Sequence, residues 1–149
     1  MTPVAVLAAC LAMLACGSDD GRGSADAQTG EEAAVAATVK RYLTAMGTLN
    51  PVGVCGSLTA AGQRDLVRQS GATKRSCEEV LRLGFGLLND QQKQDLAQQA
   101  ALQPYQIVVD GPYATGQLQF RGQVSQFQAR KVNGVWRLSS PGDRQLTPG

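Results

Sequence analysis

The chain has 149 residues, a length that favours one domain, with 43% hydrophobic, 5% aromatic and 17% charged residues and a formal net charge of +2. It contains no histidine, which excludes Ser-His-Asp and Cys-His catalysis and the ordinary mixed Cys/His zinc sites. The charge is uneven: residues 17–32 carry five acids against Arg22 alone, a net −4, and the remainder carries +6. Its basic residues come singly or in pairs (Lys40-Arg41, Lys74-Arg75, Arg130-Lys131). They read as solvated faces, because a nucleic-acid surface would show a dense basic stripe with interleaved aromatics.

Residues 3–15, PVAVLAACLAMLA, form an uncharged apolar run of thirteen. That is short for a membrane-spanning helix, which needs about 20 residues, and it suits a signal-peptide core. A buried N-terminal helix would carry a polar stripe, and this run has none. The stretch resembles a bacterial lipoprotein signal, whose last small residue precedes the cysteine that receives lipid. Met13-Leu14-Ala15-Cys16 fits at Ala15 and Cys16 and departs at Met13 and Leu14. Leu7-Ala8-Ala9-Cys10 fits better letter by letter, but a cut there would leave too short a core and expose an apolar LAMLA. No Lys or Arg precedes Cys16, so the basic start of such a leader is missing. The resemblance implies a signal peptide over 1–15 and a lipidated Cys16 as mature N-terminus. A disordered Gly-, Ser- and Asp-rich tether then runs to residue 30. The chain is thereby expected on the extracytoplasmic face of the cell membrane.

From Glu31 the pattern becomes helical: Val35, Val39, Tyr42, Leu43 and Met46 share one face, and Gly47 with Asn50-Pro51 ends it. A second helix is predicted over 60–69, capped by Thr59, with Leu66 and Val67 inward and Gly71 as its stop. SCEEVLRLGFGLL opens with a Ser76/Glu79 capping box and offers Val80, Leu81, Leu87 and Leu88 as an apolar face, with Phe85 beside it. Gly84 and Gly86 weaken that helix, through a bend or a close contact. NDQQKQDLAQQAAL adds one or two amphipathic turns.

Cys55 and Cys77 lie beyond the leader of an exported chain, and such a pair is most simply a disulfide. The rival is a reactive thiol, which neither a CxxC spacing nor a histidine supports.

After Pro104 the period switches to two. YQIVVD (105–110), ATGQLQF (114–120), QVSQFQARKV (123–132) and VWRLSS (135–140) read as strands, with turns at Asp110-Gly111 and Asn133-Gly134. Leu118, Phe120, Phe127, Trp136 and Leu138 would form the inner face. Helices first and an antiparallel meander second make an α+β domain over 31–140, followed by a loose tail over 141–149. VKRYLTAMGTLNPVGVCGSLTAAGQRDL, SCEEVL, YQIVVDGPYATGQLQF and KVNGVWRLSS together resemble the NTF2-like superfamily, and more narrowly its small secreted actinobacterial lipoproteins. The resemblance implies a cone of N-terminal helices packed on a curved antiparallel sheet, the Cys55–Cys77 bridge, and a homodimer through the sheet as a further option.

Chemistry is thin. Enzymes of that fold class place acids and tyrosines in the mouth of the cone, where Tyr42, Tyr105 and Asp110 are the candidates here. Asp110 beside Gly111 is more simply a turn residue and Tyr42 a core residue. Gln117, Gln119, Gln123, Gln126 and Gln128 do not titrate. LGFGLLND lacks the strand and the Lys-Ser/Thr of a phosphate loop. The pairs Asp19-Asp20, Glu31-Glu32 and Glu78-Glu79 are adjacent, so their side chains diverge, and no metal or cofactor is expected. The reading is a lipid-anchored, non-catalytic module that binds a small apolar ligand or an envelope partner protein and no nucleic acid. Its pocket would be lined by Tyr42, Met46, Phe85, Tyr105, Phe120, Phe127 and Trp136. An isomerase- or dehydratase-like enzyme with a Tyr/Asp pair is the alternative.

Overall fold

In the computed structural model, which describes residues 29–140, five helices precede four strands. Thr29 starts the first helix, α1 (Gly30–Gly47), with a capping box: its hydroxyl accepts from the Glu32 amide, and the Glu32 carboxylate accepts from the Thr29 amide. Val35, Thr38, Val39, Leu43 and Ala45 form its buried face.

Asn50-Pro51 does not end α1, which has already closed at Gly47; it begins α2 (Pro51–Ser57). The Asn50 side chain accepts from the Gly53 amide at 3.1 Å, and Pro51 occupies the first helical position, where its missing N–H costs nothing. Then come α3 (Ala60–Gln69), capped by Thr59, and α4 (Cys77–Gly86), opened by the Ser76/Glu79 capping box. A disulfide joins Cys55 of α2 to Cys77 of α4, with Cα atoms 6.1 Å apart. Leu66, Val67, Val80, Leu81 and Leu88 are half-buried. Leu87 is 86% exposed, because α4 stops at Gly86 and the apolar spacing beyond it no longer follows a helix. No side chain or strand packs closely on Gly84 or Gly86. The last helix, α5 (Asp90–Gln99), is tied to α1 by Lys40, whose ammonium donates to the Ala100 and Leu102 carbonyls at 3.3 and 3.2 Å.

The strands β1 (Tyr105–Asp110), β2 (Tyr113–Phe120), β3 (Gln123–Val132) and β4 (Val135–Ser139) form one antiparallel sheet in that order. Arg121-Gly122 and Asn133-Gly134 are two-residue hairpin loops with both residues at positive φ, which matches the twist of the flanking strands. The register slips between Tyr105 and Val108, with Gln106 at φ 49°, so β1 carries a bulge. The core is one layer between α1 and the sheet: Val35, Val39 and Leu43 meet Ala114, Ala129, Trp136 and Leu138. The small residues Ala114 and Ala129, opposite one another in the register, let α1 lie close to the sheet centre.

Candidate functional site

Between α1 and the sheet much of the space is taken by Phe127 and Trp136. Gly116 of β2 stands opposite Phe127 of β3, and a Cβ built on Gly116 would lie 2.6 Å from the Phe127 Cε1 and nearer still to its Cζ. The ring end of Phe127 therefore occupies the place a side chain would take. Trp136, 4% exposed, donates its indole N–H to Glu31 at 2.6 Å, and the other Glu31 oxygen accepts from Lys131 at 2.5 Å. The Lys131 hydrogen bond first, and the Trp136 hydrogen bond second, hold the Glu31 carboxyl below its ordinary value. Thr38, buried beneath them, has its hydroxyl 3.2 Å from the Trp136 carbonyl.

The residues expected to line a pocket are dispersed. Tyr42 packs half-buried against the core, and burial pushes its hydroxyl pKa up. Phe127 and Trp136 fill the interior, Met46 is half-buried near the end of α1, and Phe85 is half-buried on α4. The bulge pairs Tyr105 with Gln117, on the face of the sheet away from α1. Phe120 alone of the seven lines a cavity of about 230 Å³ on the α1 side of the sheet, together with Leu43, Leu102 and Leu118. That volume is below the ~300–1,000 Å³ of small-molecule sites. Tyr105 and Asp110 stand at opposite ends of β1, and Asp110 is exposed beside its turn. Tyr42, Tyr105 and Asp110 form no acid–base group. Among the described residues no cluster of His, Cys, Asp and Glu is placed to hold a metal ion.

Two surfaces remain. The outer sheet face carries Val108 (61% exposed), Val124 (54%), Val132 and Val135, with Gln117, Gln119, Gln126 and Gln128 between them and a charged row of Asp110, Arg130 and Arg137 across it. Gln123 has the other parity and lines the small cavity.

A cavity of about 900 Å³ forms a cleft beside the disulfide between α3 and the start of α4. Ala60, Ala61 and Val67 give it an apolar lining, and Arg64, Arg68 and Arg75 line it with charge. Arg68 is bridged to Asp65 at 2.6 Å. A cavity of about 440 Å³ adjoins it, sharing Ala60, Ala61 and Arg64 and adding Arg130 and Lys131. Sequence reasoning missed this cleft because it weighed basic residues by local density. The available signal was Arg64 and Arg68 one helical turn apart on α3, with Arg75 directly before a capping box.

Cys10, Cys16, the leader, the tether up to residue 28 and the segment 141–149 lie outside the described residues. No helix among the described residues is long and apolar enough to cross a membrane. Comparison of the chain with known protein families, with curated proteins and with solved structures found nothing that matches.

Proposed function

We propose that this chain is an extracytoplasmic, lipid-anchored module of NTF2-like fold that performs no catalysis and works by docking a partner protein on the outer face of its sheet. The observation that carries this reading is the contrast between a filled interior and an open outer face. With Phe127 seated on Gly116, the space between α1 and the sheet keeps a cavity of about 230 Å³, below the ~300–1,000 Å³ of small-molecule sites, and Tyr42 does not line it. The outer face instead presents valines among glutamines, with the charges of Asp110, Arg130 and Arg137 gathered in one row across the sheet. The order of helices then sheet agrees with the cone architecture. A disulfide suits an oxidising compartment outside the cytoplasm, and Cys16 at the end of an apolar run supplies the anchor.

Two experiments test the two halves. Cys16→Ser should release the protein from the membrane fraction while Cys10→Ser leaves it there; the reverse result, or no release, removes the anchor at Cys16. A photo-crosslinking residue placed at Val124 in producing cells should give a discrete heavier adduct that the same residue at Gln69 of α3 does not. An adduct of twice the chain mass would make the partner a second copy. Identical patterns from the two positions would end the docking-face reading.

A further inference from the structure

The cleft beside the disulfide holds more positive charge than its surroundings neutralise. Asp65 is taken by Arg68, and the Glu79 carboxylate accepts from the Ser76 amide at 2.8 Å in the α4 capping box, feeling Arg75 and Arg82 through space without bridging either. Arg64 and Arg75 consequently form no salt bridge among the described residues, although both line a concave site of about 900 Å³. An exposed pair of arginines on a convex surface would be an ordinary solvated face. Here they share a cavity of ligand size with the apolar Ala60, Ala61 and Val67.

Two further features favour an anion. Ser76 and Cys77 line the cleft, so the first turn of the ten-residue α4 opens onto it; the Ser76 hydroxyl takes the Glu79 amide, which leaves the Cys77 and Glu78 amides without a carbonyl of their own helix, in a turn that also carries the Glu78 and Glu79 carboxylates. Ser140 lines it as well, its hydroxyl without a hydrogen-bond partner among the described residues. Cys77 is fixed by its bond to Cys55, so the start of α4 is held in place before any ligand arrives.

We propose that this cleft binds a phosphate ester, its phosphate held by Arg64 and Arg75 at the α4 N-terminus and its organic part resting on Ala60, Ala61 and Val67. Two planar guanidiniums offer more donors than the two coplanar oxygens of a carboxylate can use, whereas a phosphate ester sets four oxygens tetrahedrally about phosphorus, two of them carrying the charge in a diester and three in a monoester. The site is separate from the outer sheet face and requires neither the anchor nor a partner there. The same chemistry could come from a soluble phosphate ester or from a phospholipid headgroup, and the experiment separates them.

The chain from Gly17 to Gly149, which contains the whole described fold, is titrated calorimetrically with glycerol 3-phosphate and with glycerate, its carboxylate counterpart. It is also sedimented with vesicles of phosphatidylglycerol or of phosphatidylcholine. Saturable binding of glycerol 3-phosphate assigns a soluble ester, and binding to phosphatidylglycerol vesicles without it assigns a headgroup. In either case Arg64→Gln and Arg75→Gln should each weaken binding roughly tenfold or more. Arg82→Gln, outside the cleft on the exposed side of α4, should change it less than twofold. Unfolding midpoints measured beside each titration show that the variants fold. Absence of saturable binding to either phosphate probe up to about 10 mM overturns the proposal. So does equal affinity for glycerate, or equal weakening by Arg82→Gln, which would show diffuse charge attraction.

Discussion

Replacing Gly116 by alanine tests the central claim about the interior. The new Cβ would lie 2.6 Å from Cε1 and 3.2 Å from Cε2 of Phe127, against the ~3.5–4.0 Å of a relaxed carbon contact. The ring must therefore retreat by roughly 1 Å into a packed layer, an overpacking that costs about 1–3 kcal/mol. Alanine returns about 0.4–1 kcal/mol by restricting the unfolded chain, so the net destabilisation should be about 1–2 kcal/mol. Phe127→Leu removes the ring atoms in conflict, and in that background Gly116→Ala should be neutral or slightly stabilising. Urea unfolding followed by the fluorescence of Trp136, the single tryptophan, reads all four corners of this cycle. With a slope of about 1–3 kcal/mol/M, the single variant should shift the midpoint by on the order of 1 M. Coupling of about 1–3 kcal/mol between the sites is expected. Additive effects would mean that Phe127 does not occupy the space over Gly116, and the filled-interior argument would fall with it.

Three further predictions follow from particular contacts. Cys55 and Cys77 are 22 residues apart, and closing that loop is worth about 3 kcal/mol in the chain-entropy model; the Cys55→Ala/Cys77→Ala variant should lose roughly 10–20 °C in Tm, and a loss under about 5 °C would contradict the loop-closure account. The Glu31 and Glu79 carboxyls are both held below their ordinary value of 4.5, by Lys131 and Trp136 in one case and by Ser76 in the other. A depressed carboxyl contributes stability above its unfolded pKa and loses it as pH falls through the folded one. Stability should thus decline on acidification below about pH 4.5, and Glu31→Gln should flatten part of that decline; parallel pH profiles for the two proteins would refute it. Lys40→Met leaves the Ala100 and Leu102 carbonyls without their donor, at a cost of about 1–2 kcal/mol, and should speed hydrogen exchange in α5 before the sheet responds. Unchanged α5 protection would show that Lys40 does not hold the helix.

The elements were legible in the sequence where local rules decide them. The strands fall within a residue of the alternating runs, because turn residues at Asp110-Gly111 and Asn133-Gly134 punctuate a period of two. Thr59 and Ser76 announce their helices through caps. Pro51 misled because a proline after a glycine reads as a stop, while Asn50 before it makes the same residue a start. Leu87 misled because apolar spacing continues past the glycine that ends α4. The interior was not legible at all: whether Phe127 lines a cavity or fills it depends on its standing opposite Gly116, a fact of register. Tyr105 changed faces for the same kind of reason, one extra residue at the Gln106 bulge. The arginine cleft assembles three residues from a helix and a loop, and only the tertiary fold makes them neighbours.

The connection between α2 and α3 has a consequence for solubility. Leu58 bridges Leu138 in parallel, the Thr59 amide donates to the Leu138 carbonyl at 2.8 Å, and Arg137 donates to the Gly56 carbonyl. Part of the free margin of β4 is thus occupied by the chain's own backbone. At the opposite margin, β1 is preceded by Pro104, which has no N–H to offer, and is kinked by the bulge at Gln106. Neither margin presents an unbroken row of backbone donors and acceptors to another molecule. A four-stranded sheet studded with exposed valines can therefore stay open to water on its broad face without polymerising strand by strand along its rims.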